Sequence, residues 1–412
     1  MTMIIDKKLK RSVMAMIFIV PFLMGIGIDL YVPSFPYIAQ YFQASSGLVQ
    51  LTVAFYVIAN GIGQLILGVI SDSLGRKKIL VTSSLFYTIV SFLSVFSPNI
   101  YFLIFCRFLQ GLGISGLAAV SRAVAADCFS GKDLAKAMIY MSIGWALGPL
   151  IGPVIGSYLQ HYFYWQASFY FFSFYGLIIF IYMYALLPET HFKRSSIQLK
   201  EMCYGIKKVI FNPIFFFGML LLALIYSVLI LFNLIGPFLI QNVLHRSVVT
   251  YGKIALFLGG GYLLGNLSNR PLIHYFEPTN IAVFGLIGGT FISALMVILS
   301  ITNSMNLYII IIPVFLLLFM SALIFPHIQA KCFSLFSSQL AGTASAVYGI
   351  LLASGGFLLT LFVTTLPLDS QKPMAIVYLC LFSLAILMYL IIYYFDKRRF
   401  LGLNAMNPSI GE

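Results

Sequence analysis

The apolar positions of this chain fall in long, nearly unbroken runs, each close to the roughly 20 residues a helix needs to cross the hydrocarbon of a bilayer. Short segments rich in Gly, Pro or charge separate them. The runs predict twelve spans, at residues 12–40, 48–70, 78–97, 100–122, 136–160, 165–187, 213–240, 251–270, 280–300, 307–328, 341–364 and 374–395. Helices rather than a barrel follow from the run lengths, because barrel strands would show segments of about ten residues with alternating polarity. The longest polar stretch, Pro188 to Pro213, falls after the sixth run. The expected fold class is all-α membrane, with twelve transmembrane helices in two six-helix bundles. Residues 1–187 are expected to form the first bundle, 188–212 a linker, and 213–412 the second bundle with a short tail.

Charge orients this arrangement. If the spans alternate in direction, 20 of the 24 Lys and Arg residues share one side, three (Arg246, Lys253, Lys372) lie on the other, and Arg107 sits inside a span. By the positive-inside rule both termini and the linker are then expected to be cytoplasmic. The formal net charge of +13 is thereby explained by topology. No basic and aromatic soluble module accompanies it, so no nucleic-acid partner is expected. At 61% hydrophobic and 8% charged, the composition is far from the roughly 45–50% apolar content of soluble domains. The basic N-terminus and the apolar run after it resemble a signal peptide, but no small-residue cleavage site precedes the next polar stretch, and the run reads as a retained first helix.

The usual marks of other chemistries are missing from the sequence. Five scattered cysteines (Cys106, Cys128, Cys203, Cys332, Cys380) indicate neither a disulfide framework nor a metal site. The histidines, His161, His191, His245, His274 and His327, lie mostly near span ends and are not grouped. With no nucleophile and base constellation the chain does not read as an enzyme. With no GxxxxGK[ST] loop, the energy for any transport is expected from a proton gradient rather than a nucleotide, and no cofactor is expected.

Several stretches carry more specific signals. GVISDSLGRKK (68–78), between the second and third spans, resembles the loop signature of the major facilitator superfamily. FCRFLQGLG (105–113) resembles its fourth-helix basic motif, and GWALGPLIGP (144–153) its fifth-helix antiporter motif. IDLYVPSFPYIA (28–39), AFYVIANGIGQLILG (54–68), SRAVAADCFSGKDLAKA (121–137) and LPET (187–190) resemble the twelve-helix drug:proton antiporters, and among them the bicyclomycin and chloramphenicol resistance subfamily. In the C-terminal half the likeness is architectural, with GGYLLGNLSNR (260–270) a worn echo of residues 61–78. Parallel repeats of this kind can rock about a central site.

In the first loop, Gly68 and Gly75 permit close approach and a tight turn, while Asp72 can cap the following helix or pair with a base. Arg76 is placed to reach Asp127 at the end of the fourth span. Together with Arg122, the resemblance makes these residues a conformational latch on the cytoplasmic side. Ser73 stands where a basic residue is usual in the subfamily. Gly144, Gly148, Gly152 and Gly156 recur every four residues, on one helix face, with Pro149 and Pro153 among them. Small residues let helices approach, and prolines loosen a helix. The resemblance identifies this helix with exchange, although Pro153 replaces a glycine usual in the family.

Of eleven acidic residues, Asp29 alone lies well inside a span. A charge near the middle of a membrane costs about 2.5–3.5 kcal/mol even on the lenient insertion scale, so it should face a cavity or a partner. Arg107 is the corresponding buried base, and the two are expected to pair. A carboxylate that holds either a proton or a cationic substrate would exchange one for the other without a covalent step. The alternative is a structural ion pair fastening the first and fourth spans. Tyr31, Tyr56, Asn60, Gln110, Ser115, Asn233 and Tyr348 are further polar or amphipathic candidates for lining a substrate cavity, although packing explains each of them equally well.

The expected protein is thus a monomeric inner-membrane antiporter that exports small amphipathic or drug-like compounds in exchange for protons. The other reading with the same fold is a dedicated carrier, importing or exporting one endogenous metabolite such as a siderophore or amino acid.

Overall fold

The computed structural model of the protein describes residues 7–190, 199–301, 305–336 and 338–406. Regular structure among the described residues is helical, and twelve segments are long and apolar enough to cross a membrane, one at each expected position. The first part of the chain forms α1 (Lys7–Asp29), α2 (Phe35–Tyr41), α3 (Ser46–Leu74), α4 (Arg76–Val95), α5 (Ile100–Cys128), α6 (Gly131–Tyr162) and α7 (Gln166–Leu186). The remainder forms α8 (Leu199–Ile210), α9 (Pro213–Phe238), α10 (Val248–Leu272), α11 (Pro278–Ile301), α12 (Leu307–Phe333), α13 (Ser338–Val363) and α14 (Lys372–Met406). The stretch expected as a linker holds α8, while its residues 191–198, including His191, Lys193 and Arg194, lie outside the described residues.

Helix ends follow local chemistry more than hydropathy. The Ser45 side chain accepts from the N–H of Leu48 at 3.3 Å and Asn99 from that of Phe102 at 2.9 Å, capping α3 and α5. The α3 helix runs on to Leu74, four residues past the expected boundary, and stops where Gly75 takes φ +101°, a conformation that glycine adopts without strain. The first span is not a single helix. Its α1 ends at Asp29, a 3₁₀ turn covers Val32–Ser34, and α2 follows, because Pro33 and Pro36 withhold the N–H groups that a continuous helix would use. A similar interruption follows Pro237, where Leu239–Val243 form a wider π turn.

The chain packs into two compact units. One holds the described residues of Met1–Gln198 together with Leu231–Gly260 and Gly356–Ser370. Within it α1 lies along α6 and touches α5, α3 lies along α5, and α4 packs on both α5 and α7. Hydroxyls inside α4 bond their own helix: Ser84, Thr88, Ser91 and Ser94 each donate to the carbonyl four residues back at 2.7–2.8 Å. The other unit holds Leu199–Ile230, Gly261–Gly355 and the described residues of Gln371–Glu412. There α11 packs on α12 and α14, and Lys331 pairs with Asp396 at 2.6 Å. Large apolar side chains such as Ile66, Phe105, Phe174, Phe291 and Leu358 are exposed, as expected where acyl chains replace water.

Candidate functional site

The break in the first span creates the site. Asp29 is the last residue of α1 and is buried, with 6% of its surface exposed. Its Oδ1 accepts a hydrogen bond from Asn233 Nδ2 of α9 at 2.6 Å. A second tie to α9 comes from Gln50 of α3, which donates to the Leu234 carbonyl at 2.9 Å. In the π turn after α9, Gln241 donates to the Pro33 carbonyl of the 3₁₀ turn at 3.0 Å.

Arg107 enters from α5 and is fully buried. The expected pairing with Asp29 is absent: no Lys or Arg nitrogen lies within 4 Å of the Asp29 carboxylate among the described residues. The break turns the carboxylate toward α9, while Arg107 donates through Nη2 to the Gly27 carbonyl at 2.8 Å and through Nη1 to Gln110 Oε1 at 2.9 Å. Its guanidinium carbon lies 4.3 Å from the Tyr31 ring centroid and 4.0 Å from that of Tyr56, so the charge is sandwiched by two π faces. Gln110 passes the network on to Ser91 at 2.8 Å, and Tyr31 shares a 2.8 Å bond with Thr52. The Arg107 Nε–H and the Tyr56 hydroxyl are buried without partners among the described residues, which leaves the cluster with unused hydrogen-bonding capacity.

The four glycines of α6 form the wall against which α1 lies. A Cβ on Gly144 would approach the Phe18 carbonyl at 2.7 Å, and one on Gly148 would overlap the Gly25 and Ile26 backbone. One on Gly152 would sit 3.2 Å from Asp29 Cβ and 3.3 Å from Leu30 N, and one on Gly156 would overlap the Leu30 carbonyl. Pro149 withholds the N–H that would bond the Trp145 carbonyl, and that carbonyl faces Gly25. The glycine face therefore fixes how closely α6 approaches the segment that carries Asp29.

A separate cluster joins α3, α4 and α5 at the end of the unit where Gly75 lies. Arg76 pairs with Asp72 at 2.5 Å and, through Nε, with Asp127 at 3.1 Å, while its Nη1 donates to Ser71 at 2.5 Å. Glu189 closes the group: it accepts from the N–H of Arg76 at 2.9 Å and of Lys77 at 3.2 Å, at the start of α4. This is a carboxylate on a helix N-terminus, where the backbone supplies unpaired donors and a positive partial charge. Arg122 donates to Gln64 at 2.5 Å, and Gln64 donates to Asn60 at 3.1 Å. Gly68 is an ordinary contact position, since an added Cβ would meet Ala119 Cβ at 3.7 Å.

Residues 17–360 match the model of the Major Facilitator Superfamily. The chain belongs to that superfamily. It is 26% identical over 331 residues to an uncharacterized transporter of Rickettsia felis, across 78% of this chain and 81% of that one. It is 28% identical over 246 residues to the chloramphenicol resistance protein CraA of Acinetobacter baumannii, across 60% of each chain. With a bicyclomycin resistance protein homolog of Haemophilus influenzae the identity is 30% over 174 residues, 42% of this chain and 44% of that one. These two drug-resistance alignments span less than two thirds of those relatives. Among solved structures, the D-xylose-proton symporter aligns with a TM-score of 0.72 at 15% identity, over 92% of this chain and 97% of that one. A bacterial homolog of the human lysosomal transporter Spinster aligns at 0.73 and 13% identity, over 96% and 98%. Both show the fold alone.

As a member of the superfamily the chain is a multi-pass membrane transporter of small molecules and not an enzyme. Of the residues singled out in the sequence, the structure gathers Asp29, Arg107, Tyr31, Tyr56, Gln110 and Asn233 into one connected region. It leaves three elsewhere. Ser115 donates to the Leu112 carbonyl at 2.6 Å and packs at Gly63, Asn60 bonds within α3, and Tyr348 belongs to the other unit, with its ring 5.7 Å from Phe333. Sequence reasoning missed Gln50, Thr52, Ser91 and Glu189. For Glu189 the signal was present in the LPET stretch; for the others it was a lone polar residue on an apolar helix face.

Proposed function

We propose that this superfamily member is a proton-coupled antiporter that exports small amphipathic or drug-like compounds across the bacterial inner membrane by alternating access. In this reading both termini are cytoplasmic, the six-helix bundles of residues 1–187 and 213–412 are joined by the linker 188–212, and a monomer is the working unit. The observation that carries it is Asp29, a buried carboxylate at a helix break that has one amide donor and no cationic partner within 4 Å among the described residues. An uncompensated charge in such a place is costly, so the group requires a proton or a donor-bearing or cationic cargo. Only one of the two fits at a time. Release of the proton as cargo arrives, and its return as cargo leaves, gives exchange without covalent chemistry.

Arg107 keeps the break in place. It satisfies the Gly27 carbonyl and stacks between Tyr31 and Tyr56, both of which are buried with it. The Arg76, Asp72, Asp127 and Glu189 cluster acts as the latch on the cytoplasmic side, and the glycine face of α6 sets the approach of α1. The drug-resistance relatives support the cargo class. The Rickettsia felis transporter, aligned over more of both chains than the drug-resistance proteins, carries no cargo in its name, and a carrier of one metabolite is the second reading.

Uptake into everted vesicles tests both, with lipophilic cations, a phenicol and an anionic siderophore offered with and without an imposed proton gradient. Gradient-driven accumulation of several unrelated compounds, lost in Asp29→Asn, is the expected result. Transport of one compound alone would establish the second reading, and coupling that survives Asp29→Asn would remove Asp29 from the mechanism.

A further inference from the structure

The short helix α8 presents an exposed face that packing within its unit does not use. Tyr204, Lys207, Lys208 and Phe211 are all exposed, the two aromatics by 70% and 79%. Their spacing of three, one and three residues places them on one helix face. The other face is covered: Gly205 and Val209 are buried, and Gly205 fronts Thr343 and Leu340 of α13. Neither lysine has an acidic partner within 4 Å among the described residues.

The corner after α8 fixes its depth. The N–H of Phe211 bonds the Lys207 carbonyl at 2.9 Å, that of Asn212 the Val209 carbonyl at 3.3 Å, and the Asn212 side chain caps α9 by accepting from Phe215 N at 3.1 Å. Only two residues separate α8 from the apolar run PIFFFGMLLL that begins α9. A helix tied this closely to the start of a span lies at the level of the headgroups. There aromatic rings settle at the edge of the hydrocarbon and lysine ammoniums reach outward to phosphate.

We propose that α8 is an interfacial helix whose Tyr204, Lys207, Lys208 and Phe211 dock on an anionic phospholipid surface. The occupant follows from charge complementarity and position: two cations without an acidic partner among the described residues, flanked by two exposed aromatics, on a helix that ends two residues before a membrane span. Such a surface holds the helix to the bilayer in the folded protein. This differs from the orienting effect of basic residues during insertion, which leaves no lasting preference among lipids.

The test uses the purified full chain, reconstituted in phosphatidylcholine bilayers containing brominated phosphatidylglycerol or brominated phosphatidylcholine. Tyr204→Trp adds a reporter, and the signal of the parent's two tryptophans is subtracted. The added emission is expected to be quenched, and more strongly by the anionic lipid, with a preference of roughly fivefold for each lysine at low salt. Lys207→Gln with Lys208→Gln should bring the preference close to parity, while Lys207→Arg with Lys208→Arg should retain it, both variants keeping the parent's elution profile. Absence of quenching would show that this face meets water or a soluble protein and would overturn the proposal. Equal quenching by the two lipids, or an anionic preference that survives the glutamine pair, would overturn it as well.

Discussion

The contact between α6 and α1 makes a graded prediction, because the four-residue glycine series meets α1 at different kinds of atom. In Gly148→Ala the new methyl falls on the backbone of Gly25 and Ile26, and in Gly156→Ala on the Leu30 carbonyl. Neither obstacle can rotate away as the end of a side chain could. Overpacking of this sort typically costs 1–3 kcal/mol, and the gain in helix propensity from replacing Gly with Ala offsets about 1 kcal/mol of it. Both variants should therefore lose up to about 2 kcal/mol. Gly260→Ala is the reference: nothing lies within 4 Å of the added Cβ, so only the propensity gain of up to about 1 kcal/mol remains. Gly152→Ala is intermediate, since its Cβ would sit 3.2 Å from Asp29 Cβ and 3.3 Å from Leu30 N. A shift of a few tenths of an ångström accommodates it, but that shift moves the segment bearing the carboxylate. Thermal melting of detergent-purified protein, followed by fluorescence-detected size exclusion, should rank Gly148→Ala and Gly156→Ala lowest and Gly260→Ala at or above the parent. Vesicle transport should show Gly152→Ala losing more activity than its melting temperature suggests. If Gly148→Ala or Gly156→Ala melts as high as Gly260→Ala, the close approach described here is wrong.

Two other substitutions probe the remaining clusters. Arg107→Lys keeps the charge but loses the planar stacking between Tyr31 and Tyr56, worth about 2 kcal/mol when desolvated, and abandons either Gly27 or Gln110, so transport should fall at least tenfold with the protein still assembled; near-normal transport would refute the role of the fork. Glu189→Gln removes a charge from the start of α4 but keeps an acceptor, for a loss of about 0.3–1 kcal/mol, whereas Gly75→Ala meets both φ +101° and the Glu189 carboxylate and should cost about 1–3 kcal/mol. Melting curves that reverse this order would show that the turn, and not the carboxylate, is dispensable.

Hydropathy alone was enough to place the spans, because a bilayer demands a run of fixed length whatever the tertiary partners. It was a poor guide to where helices end: α3, α5 and α12 run four to six residues past the expected spans, and caps such as Gly75 stop them. The break at Asp29 was written in Pro33 and Pro36 but was read through, since the apolar run continues across both. Asp29 and Arg107 stood out as ions inside spans, and burial of both follows from that. Their partners did not stand out. Asn233 is 204 positions away from Asp29, and the Gly27 carbonyl bound by Arg107 has no side chain to mark it.

The natural guess of an ion pair fails for a physical reason. An arginine offers a planar fork, and the carbonyls of a helix that ends at a proline-rich turn offer acceptors with no helical donor. Arg107 binds one such carbonyl, a glutamine and two rings through its Nη groups and its guanidinium plane, and so completes the break without the carboxylate. Had it paired with Asp29 directly, removing either partner would strand the other charge, typically at 3–5 kcal/mol, and a proton arriving at the carboxylate would face that same penalty. In the proposed exchange, with the cation held elsewhere, Asp29 changes partners while the helix break around it stays intact. The same geometry gives Asp29 a neutral donor, Asn233, in place of a charged one, and in the proposed exchange a neutral amide is far easier for a proton or a cargo to displace.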